Sequence, residues 1–589
     1  MFPARLVISA LALTLPFAPV AAAQRPESRP SDWVPALAPL VAAPGSELRD
    51  VVDRYRLDRA ALLRRFDVAY GSRRGAALGG FYAAWDRRLR ELDFNRLGPA
   101  GRVDWILLRN RIARDRVQLA RDAAREAEMA PLVPFAGAVR DLQERRRELE
   151  TLAPDSAARI LARITEQALD ARKRVEGGTL TGSRIVAHRA AQETAALRET
   201  LRRWYEYHAG YDPLFTWWAK DPYDKASQGL QAYTRVLREK LVGWKEGGEE
   251  PIVGDPIGRE ALIEDLRFEM IPYGPEELVK IAEREFAWCE AEMKKAAREM
   301  GFGDDWRAAV EKVKGLHVEP GKQTALVRDQ AFEAIDFVER RGLVTVPPLA
   351  KEIWRMEMLS PEAQRVSPFF LGGEVIRVSF PTDGMAQDEK LMSMRGNNVH
   401  FSRATVHHEL IPGHHLTGFL SDRVNPHRGL FGTPFWTEGW ALYWEMLLWD
   451  LDFPRSPEDR VGMLFWRSHR AARIIFSLSF HLGTMTPEQA IDLLVNRVGH
   501  ERANATAEVR RSFNGSYPPL YQIAYMMGGL QFRALHRELV GAGRMTDRAF
   551  HDAVLAAGSM PVEMVRAVVT NQRLGPDHAP SWCFAGELR

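Results

Sequence analysis

The stretch Ala404-Thr405-Val406-His407-His408-Glu409-Leu410-Ile411-Pro412-Gly413-His414-His415 decides how the rest of the chain is read. It holds four of the chain's 15 histidines. The apolar flanks Val406, Leu410, Ile411, Leu416 and Phe419 imply a buried helix rather than a surface cluster that collects ions by accident. A buried imidazole needs a partner, and a metal ion supplies one. In the pattern His-Glu-x-x-His, two histidines one helical turn apart face the same way and grip zinc, and the Glu polarises water. Here the strict spacing fails. Pro412 stands four residues after His408, and Ile411 four after His407. In a regular helix the six residues from His408 to His414 advance about 9 Å and end on another face, too far for Zn–N bonds of about 2.0–2.1 Å. His415 returns to the right face but lies about two turns away. Pro412 cannot continue the hydrogen-bond ladder, and Gly413 permits backbone angles that other residues avoid. The expectation is therefore a helix with a local bulge at Pro412-Gly413, which absorbs the extra residues and returns His414 to its place. His414 is preferred as the second ligand, and His415 stays the alternative.

Working outward, a third ligand is sought downstream. Glu438, in Thr437-Glu438-Gly439-Trp440-Ala441-Leu442-Tyr443-Trp444-Glu445, sits near the start of a strongly apolar helix. Alone it reads as a helix-start carboxylate; with a His-Glu helix upstream it becomes the candidate third ligand. Glu445, seven residues on and on the same face, is either the carboxylate that orients a ligand histidine or a surface charge. On the other side, Val344-Thr345-Val346 and Val375 to Phe380 alternate like strands, and 397–402 reads as another short strand. Helical periodicity covers 103–128, 157–175, 185–207, 259 onward and 275–300, and resumes from Arg403 nearly to the end. The fold class is thus mainly α (α+β), with a small sheet just before the proposed zinc-binding helix. The dense Arg, Glu and Asp of the early helices read as a solvated face.

Gly247-Gly248 and 251–256 mark a boundary, which gives a helical region at 24–250 that walls a groove and a catalytic region at 251–589, together one integrated unit. Residues 1–23 form a signal peptide: a positive start, an apolar run from Leu6 to Val20 broken by Pro16 and Pro19, and the small residues Ala21-Ala22-Ala23 before the cut. This implies a secreted or periplasmic protein, with no membrane segment left after cleavage. With a net charge of +3 over 589 residues there is no electrostatic case for a nucleic-acid partner. The two cysteines, Cys289 and Cys583, cannot build a Cys-rich zinc site. Export permits a disulfide between them; two buried free thiols are the alternative.

His-Glu-x-x-Pro-Gly-His-His followed by Glu-Gly-Trp-Ala resembles the bacterial family called domain of unknown function 885, which looks like a branch of the gluzincin metallopeptidases. Thr405 to Glu409 is also similar to the zinc helix of angiotensin-converting-enzyme-like peptidases. The likeness spans roughly 45–575, with its specific motifs between 404 and 528. It implies a zincin-type fold, one zinc ion on His408, His414 and Glu438, and Glu409 as base. Two further segments match loosely. Arg470 to His481 resembles a family helix with an Arg and a closing His, but Ser477 replaces an acidic residue. Pro519 to Gly528 resembles Pro-Gly-Gln-Ala-x-Ser-Tyr-x-x-Gly, where Pro519, Tyr525 and Gly528 agree while Leu520, Tyr521 and Met526 depart.

The chemistry implied is hydrolysis of peptide bonds, in short peptides, with Glu409 moving the proton of the attacking water. Tyr525 is the first candidate to stabilise the oxyanion and His481 the second. Two other functions fit the same residues: an exported metal-binding protein without catalysis, or a zinc amidase acting on a non-peptide amide such as one in the cell wall. A structural zinc site is closed by four protein ligands, whereas a hydrolase keeps one position open.

Overall fold

The computed structural model describes residues 29–586, apart from 43–44, 246, 365–366, 368 and 516. The expected signal peptide lies outside the described residues. The architecture is mainly helical, with one two-stranded sheet. The early helices are α1 (Pro99–Met129), α2 (Pro154–Glu176) and α3 (Arg184–His208). They start one to four residues earlier than apolar periodicity indicates. The reason lies in their first turns. Pro opens α1 and α2, with φ already set for helix and no amide to satisfy. The Ser183 hydroxyl caps α3 by accepting from Val186 N at 3.2 Å.

The sheet is smaller than the sequence suggests. Strands β1 (Arg355–Met358) and β2 (Val375–Val378) pair in parallel, Arg355 opposite Val375 and Met358 opposite Val378. The stretch Val344-Thr345-Val346 is loop, not strand. The amide and hydroxyl of Thr345 both donate to Asp552, at 2.9 and 2.7 Å, and no strand lies alongside. Residues 397–402 are not a strand either. Asn398 caps a helix there, its Oδ1 accepting from His400 N and Phe401 N at 3.0 Å each. This side-chain cap outweighs the alternating pattern. The helix it starts is α4 (Val399–Glu409). Ile376 and Val378 of β2 pack with Val406 and Leu410 in a small core, so the sheet backs the segment that carries His408.

Four more helices complete the site: α5 (His414–Ser421), α6 (Pro434–Asp450), α7 (Pro457–His481) and α8 (Tyr521–His536). α6 and α8 lie along one another. Where they cross, Gly439 faces Gly528, and a Cβ added at Gly439 would stand 2.5 Å from the Gly528 Cα. Two glycines thus let the backbones touch, which fixes the separation of side chains on both helices next to the crossing. Trp436, Trp440 and Trp444 are fully buried along α6. One core runs from Leu48 to Phe584 and contains this region; a second gathers residues between Met129 and Val253. Cys289 is buried and Cys583 exposed, and both are free thiols, so neither the disulfide nor a pair of buried thiols is found. Among the described residues no helix is long and apolar enough to cross a membrane.

Candidate metal centre

The expected bulged helix is in fact two helices with a turn between them. α4 ends at Glu409, and Leu410 leaves helical angles at φ −112°, ψ −109°. The Ile411–Pro412 bond is cis, Gly413 sits at φ −80°, ψ −129°, and α5 begins at His414. The turn is tied back on itself: Gly413 N donates to His407 O at 3.1 Å and His415 N to Leu410 O at 3.0 Å. A Cβ on Gly413 would overlap the His408 carbonyl, so glycine is required. Trp440 Nε1 donates to Pro412 O at 2.8 Å and holds the turn against α6. A single helix cannot bring residues six apart onto one ion, but two helices meeting at an angle can.

As a result the His408 and His414 rings stand 4.7 Å apart, at 89° to each other. His415 points away, its Nε2 donating to Ala350 O at 2.7 Å. His407 also turns away, with Nδ1 donating to Arg403 O at 2.9 Å. Glu438 joins the pair: its Oε2 lies 3.4 Å from His408 Nε2 and 3.2 Å from His414 Nε2. This buried oxygen has no hydrogen-bond partner. Donors on a tetrahedron with bonds of about 2.0–2.1 Å stand about 3.3–3.4 Å apart. The donor set therefore fits a zinc-sized cation. Glu409 also lies near, and a ligand atom from each of His408, Glu409 and His414 can be chosen so that all fall within 4.8 Å of one another. Its Oε2 is 3.9 Å from His414 Nε2, however, so Glu438 makes the tighter third donor and Glu409 stands beside the trio. A Cβ on Gly372 would overlap Glu409, and Gly373 N donates to Glu409 O at 3.1 Å, so the loop before β2 covers this residue closely.

Glu445 is not a surface charge: it is buried and bonded to His408. Being ionised, it accepts from His408 Nδ1 at 2.6 Å, which puts a proton on Nδ1 and turns Nε2 toward Glu438 and His414. Arg470 stands behind it, 3.5 Å from Glu445 Oε1. Burial alone depresses the His408 imidazole, yet its contacts with Glu438 and Glu445 lift it to about 9. Burial works in the opposite sense on Glu438, but His414 and His408 hold its carboxyl well below the usual range. Burial pushes Glu409 above that range, more than the two histidines lower it.

Tyr525 comes to the site as well. Its ring runs nearly parallel to His408 at 6.2 Å, with the Arg473 and Arg470 guanidiniums 4.4 and 5.1 Å from its centre. Its hydroxyl makes no hydrogen bond to the described residues. His481 is not brought to the cluster. It ends α7 eleven residues after Arg470, a rise of roughly 16 Å along the helix, and burial pulls its imidazole down to about 4, with Asp255 and Arg125 the charges it feels. Three features escaped the sequence reading. Tyr521 donates to Glu438 Oε1 at 2.5 Å. Arg470 supports Glu445. Arg473 pairs with Glu508 in a fully buried contact at 2.7 Å. Tyr521 carried a signal: it stands four residues before Tyr525 and seven before Gly528, hence on their face of α8. Ser477, at the expected acidic position, donates to Pro519 O at 3.4 Å and ties α7 to the segment that leads into Tyr521.

A mainly helical chain that closes two histidines and a glutamate around one point, with a second glutamate beside them, defines a class of α-rich proteins with a compact His/Glu cluster. The chain belongs to the family described as "Bacterial protein of unknown function (DUF885)", which matches residues 66–569. Its fold is shared with a candidate lipoprotein of unknown function from Shewanella oneidensis, at a TM-score of 0.66 and 19% identity over 88% of this chain and 98% of that one. A candidate lipoprotein from Colwellia psychrerythraea is similar at a TM-score of 0.49 and 17% identity, over 73% of this chain and 78% of that one. No curated protein matches.

Proposed function

We propose that the protein is an exported, zinc-dependent peptidase of the gluzincin type that hydrolyses peptide bonds in short peptides. The observation that carries this reading is the unpartnered Glu438 Oε2, held 3.2–3.4 Å from two histidine Nε2 atoms, with Glu409 alongside and uncommitted as a ligand. His408, His414 and Glu438 are three protein ligands, one fewer than a closed structural site uses. A zinc ion held there supplies Lewis acidity toward a carbonyl and toward water. Glu409 then takes the proton of the attacking water and passes it to the leaving amine; its raised affinity for protons, caused by burial, suits that exchange. The Tyr525 hydroxyl, which makes no hydrogen bond to the described residues, donates to the developing oxyanion. Glu445 keeps His408 in the required tautomer throughout. The N-terminal sequence supports export.

The test pairs metal analysis of the purified protein with a mixed-peptide cleavage screen, run with and without chelator. One zinc per chain and chelator-sensitive cleavage are expected. Glu409→Gln is expected to keep the zinc and lose turnover by about 10²–10⁴-fold. Zinc without cleavage of any peptide would favour the non-catalytic protein, or an amidase on another substrate. Absence of zinc, or full turnover in Glu409→Gln, removes the mechanism.

A further inference from the structure

We propose that Tyr521 is a positioning residue for metal binding: its phenol holds the outer oxygen of Glu438 so that the inner oxygen faces the two histidines. The inference rests on the metal-site reading above. Glu438 has two carboxylate oxygens. Oε1 accepts from the Tyr521 hydroxyl at 2.5 Å, while Oε2 is the unpartnered atom aimed at His408 and His414. A carboxylate is free to swing about its last bond and to present either oxygen or both. A strong donor on one oxygen removes that freedom and leaves the other for the cation.

The phenol is itself held. Tyr517 stacks on the Tyr521 ring at 4.2 Å and 17°, and Tyr525 meets it edge-on at 5.9 Å. Tyr521 N donates to Pro518 O at 2.9 Å, which fixes the ring where α8 begins. Seven residues further, Gly528 makes the backbone contact with Gly439, next to Glu438. Donor and acceptor therefore sit beside a crossing that cannot slide. Tyr521 and Tyr525, one turn apart, differ: the Tyr521 hydroxyl is committed to Glu438, while that of Tyr525 has no hydrogen bond among the described residues.

The experiment measures zinc affinity of the full mature chain by competition with a chromophoric chelator, for wild type, Tyr521→Phe and Tyr521→Gln, with thermal unfolding of each metal-free protein alongside. Tyr521→Phe keeps the ring stack and loses only the donor. It is expected to bind zinc about 10–100-fold more weakly at an unchanged metal-free Tm. Tyr521→Gln restores a donor without the ring and is expected to recover part of that loss. Wild-type affinity in Tyr521→Phe overturns the proposal. So does an equal loss in both variants accompanied by a lowered metal-free Tm, which marks a packing role. Failure of the wild-type chain to bind zinc at all is a separate result, and it overturns the metal site itself.

Discussion

Helices α2 and α3 wear their arginines outside, whereas α7 wears them inside. On α2, Arg159–Asp155 and Arg172–Glu176 are i,i+4 pairs, and on α3 Arg202 bridges Glu199 and Glu206; all of these groups are exposed. On α7, Arg470 and Arg473 are buried against Glu445 and Glu508, and Arg511 reaches the same Glu508. The residue types are the same and the physics is not. In water a pair is screened, and holding two long side chains together costs as much as the attraction returns, so such a pair contributes about 0–1 kcal/mol. In the interior each charge has lost its hydration, and removing one partner strands the other. The outer pairs keep helices soluble. The inner ones fix the groups around Tyr525 and His408.

The strongest attack on this contrast is Glu508→Gln. It strips the counter-charge from Arg473 and Arg511 and turns one of the two accepting oxygens into an amide donor that faces a guanidinium. A loss of about 3–5 kcal/mol is expected in urea unfolding; a loss below about 1 kcal/mol would mean that the buried network behaves like a surface one.

Acid sharpens the comparison next. Burial holds the His500 and His551 imidazoles down to about 3, and Arg473 with Arg511 holds the Glu508 carboxyl down to about 2 against the upward pull of burial. His551 is locked neutral from both sides, donating from Nδ1 to Leu343 O at 2.8 Å and accepting from the Tyr443 hydroxyl at 2.7 Å. The unfolded chain protonates these histidines near pH 6.5, long before the folded one does. Their contribution is therefore whole above about pH 6.5 and drains as pH falls toward 3; that of Glu508 is whole above about 4.3 and drains toward 2. Unfolding free energy measured from pH 7 to 4 should fall by on the order of a few kcal/mol, since one pKa unit is about 1.4 kcal/mol. A flat profile across that range contradicts the neutral-histidine interior.

At the small end stands Arg172→Ala on α2. Its partner Glu176 is exposed, and the change should move stability by less than about 0.5 kcal/mol and leave zinc binding untouched. A larger effect would mean that the outer face of α2 meets something other than water.

Much of the fold is legible before folding. Apolar periodicity finds α1 to α3 to within four residues, because burial of one face dictates the 3.6-residue repeat whatever the tertiary context. It fails at 344–346 and 397–402, where alternation suggests strand. Asp552, 207 positions from Thr345, and the side chain of Asn398 decide those segments instead. A strand needs a partner strand, and a short pattern cannot reveal whether one is present.

The site divides in the same way. Sequence by itself singled out the candidates: His408, Glu409 and Glu438 stand out by residue type, by apolar surroundings and by their place on helices. It also determined that Pro412-Gly413 must distort the chain, because Pro lacks an amide donor and Gly lacks a Cβ. Only the tertiary structure brought His414 rather than His415 beside His408, placed Glu445 behind His408, put Tyr521 on Glu438 and set His481 apart. Each of those outcomes depends on where a second helix lies, and that is set by contacts such as Gly439 on Gly528 and Trp440 on Pro412, between positions 89 and 28 residues apart. Periodicity records which face of a helix is buried; it does not record what buries it.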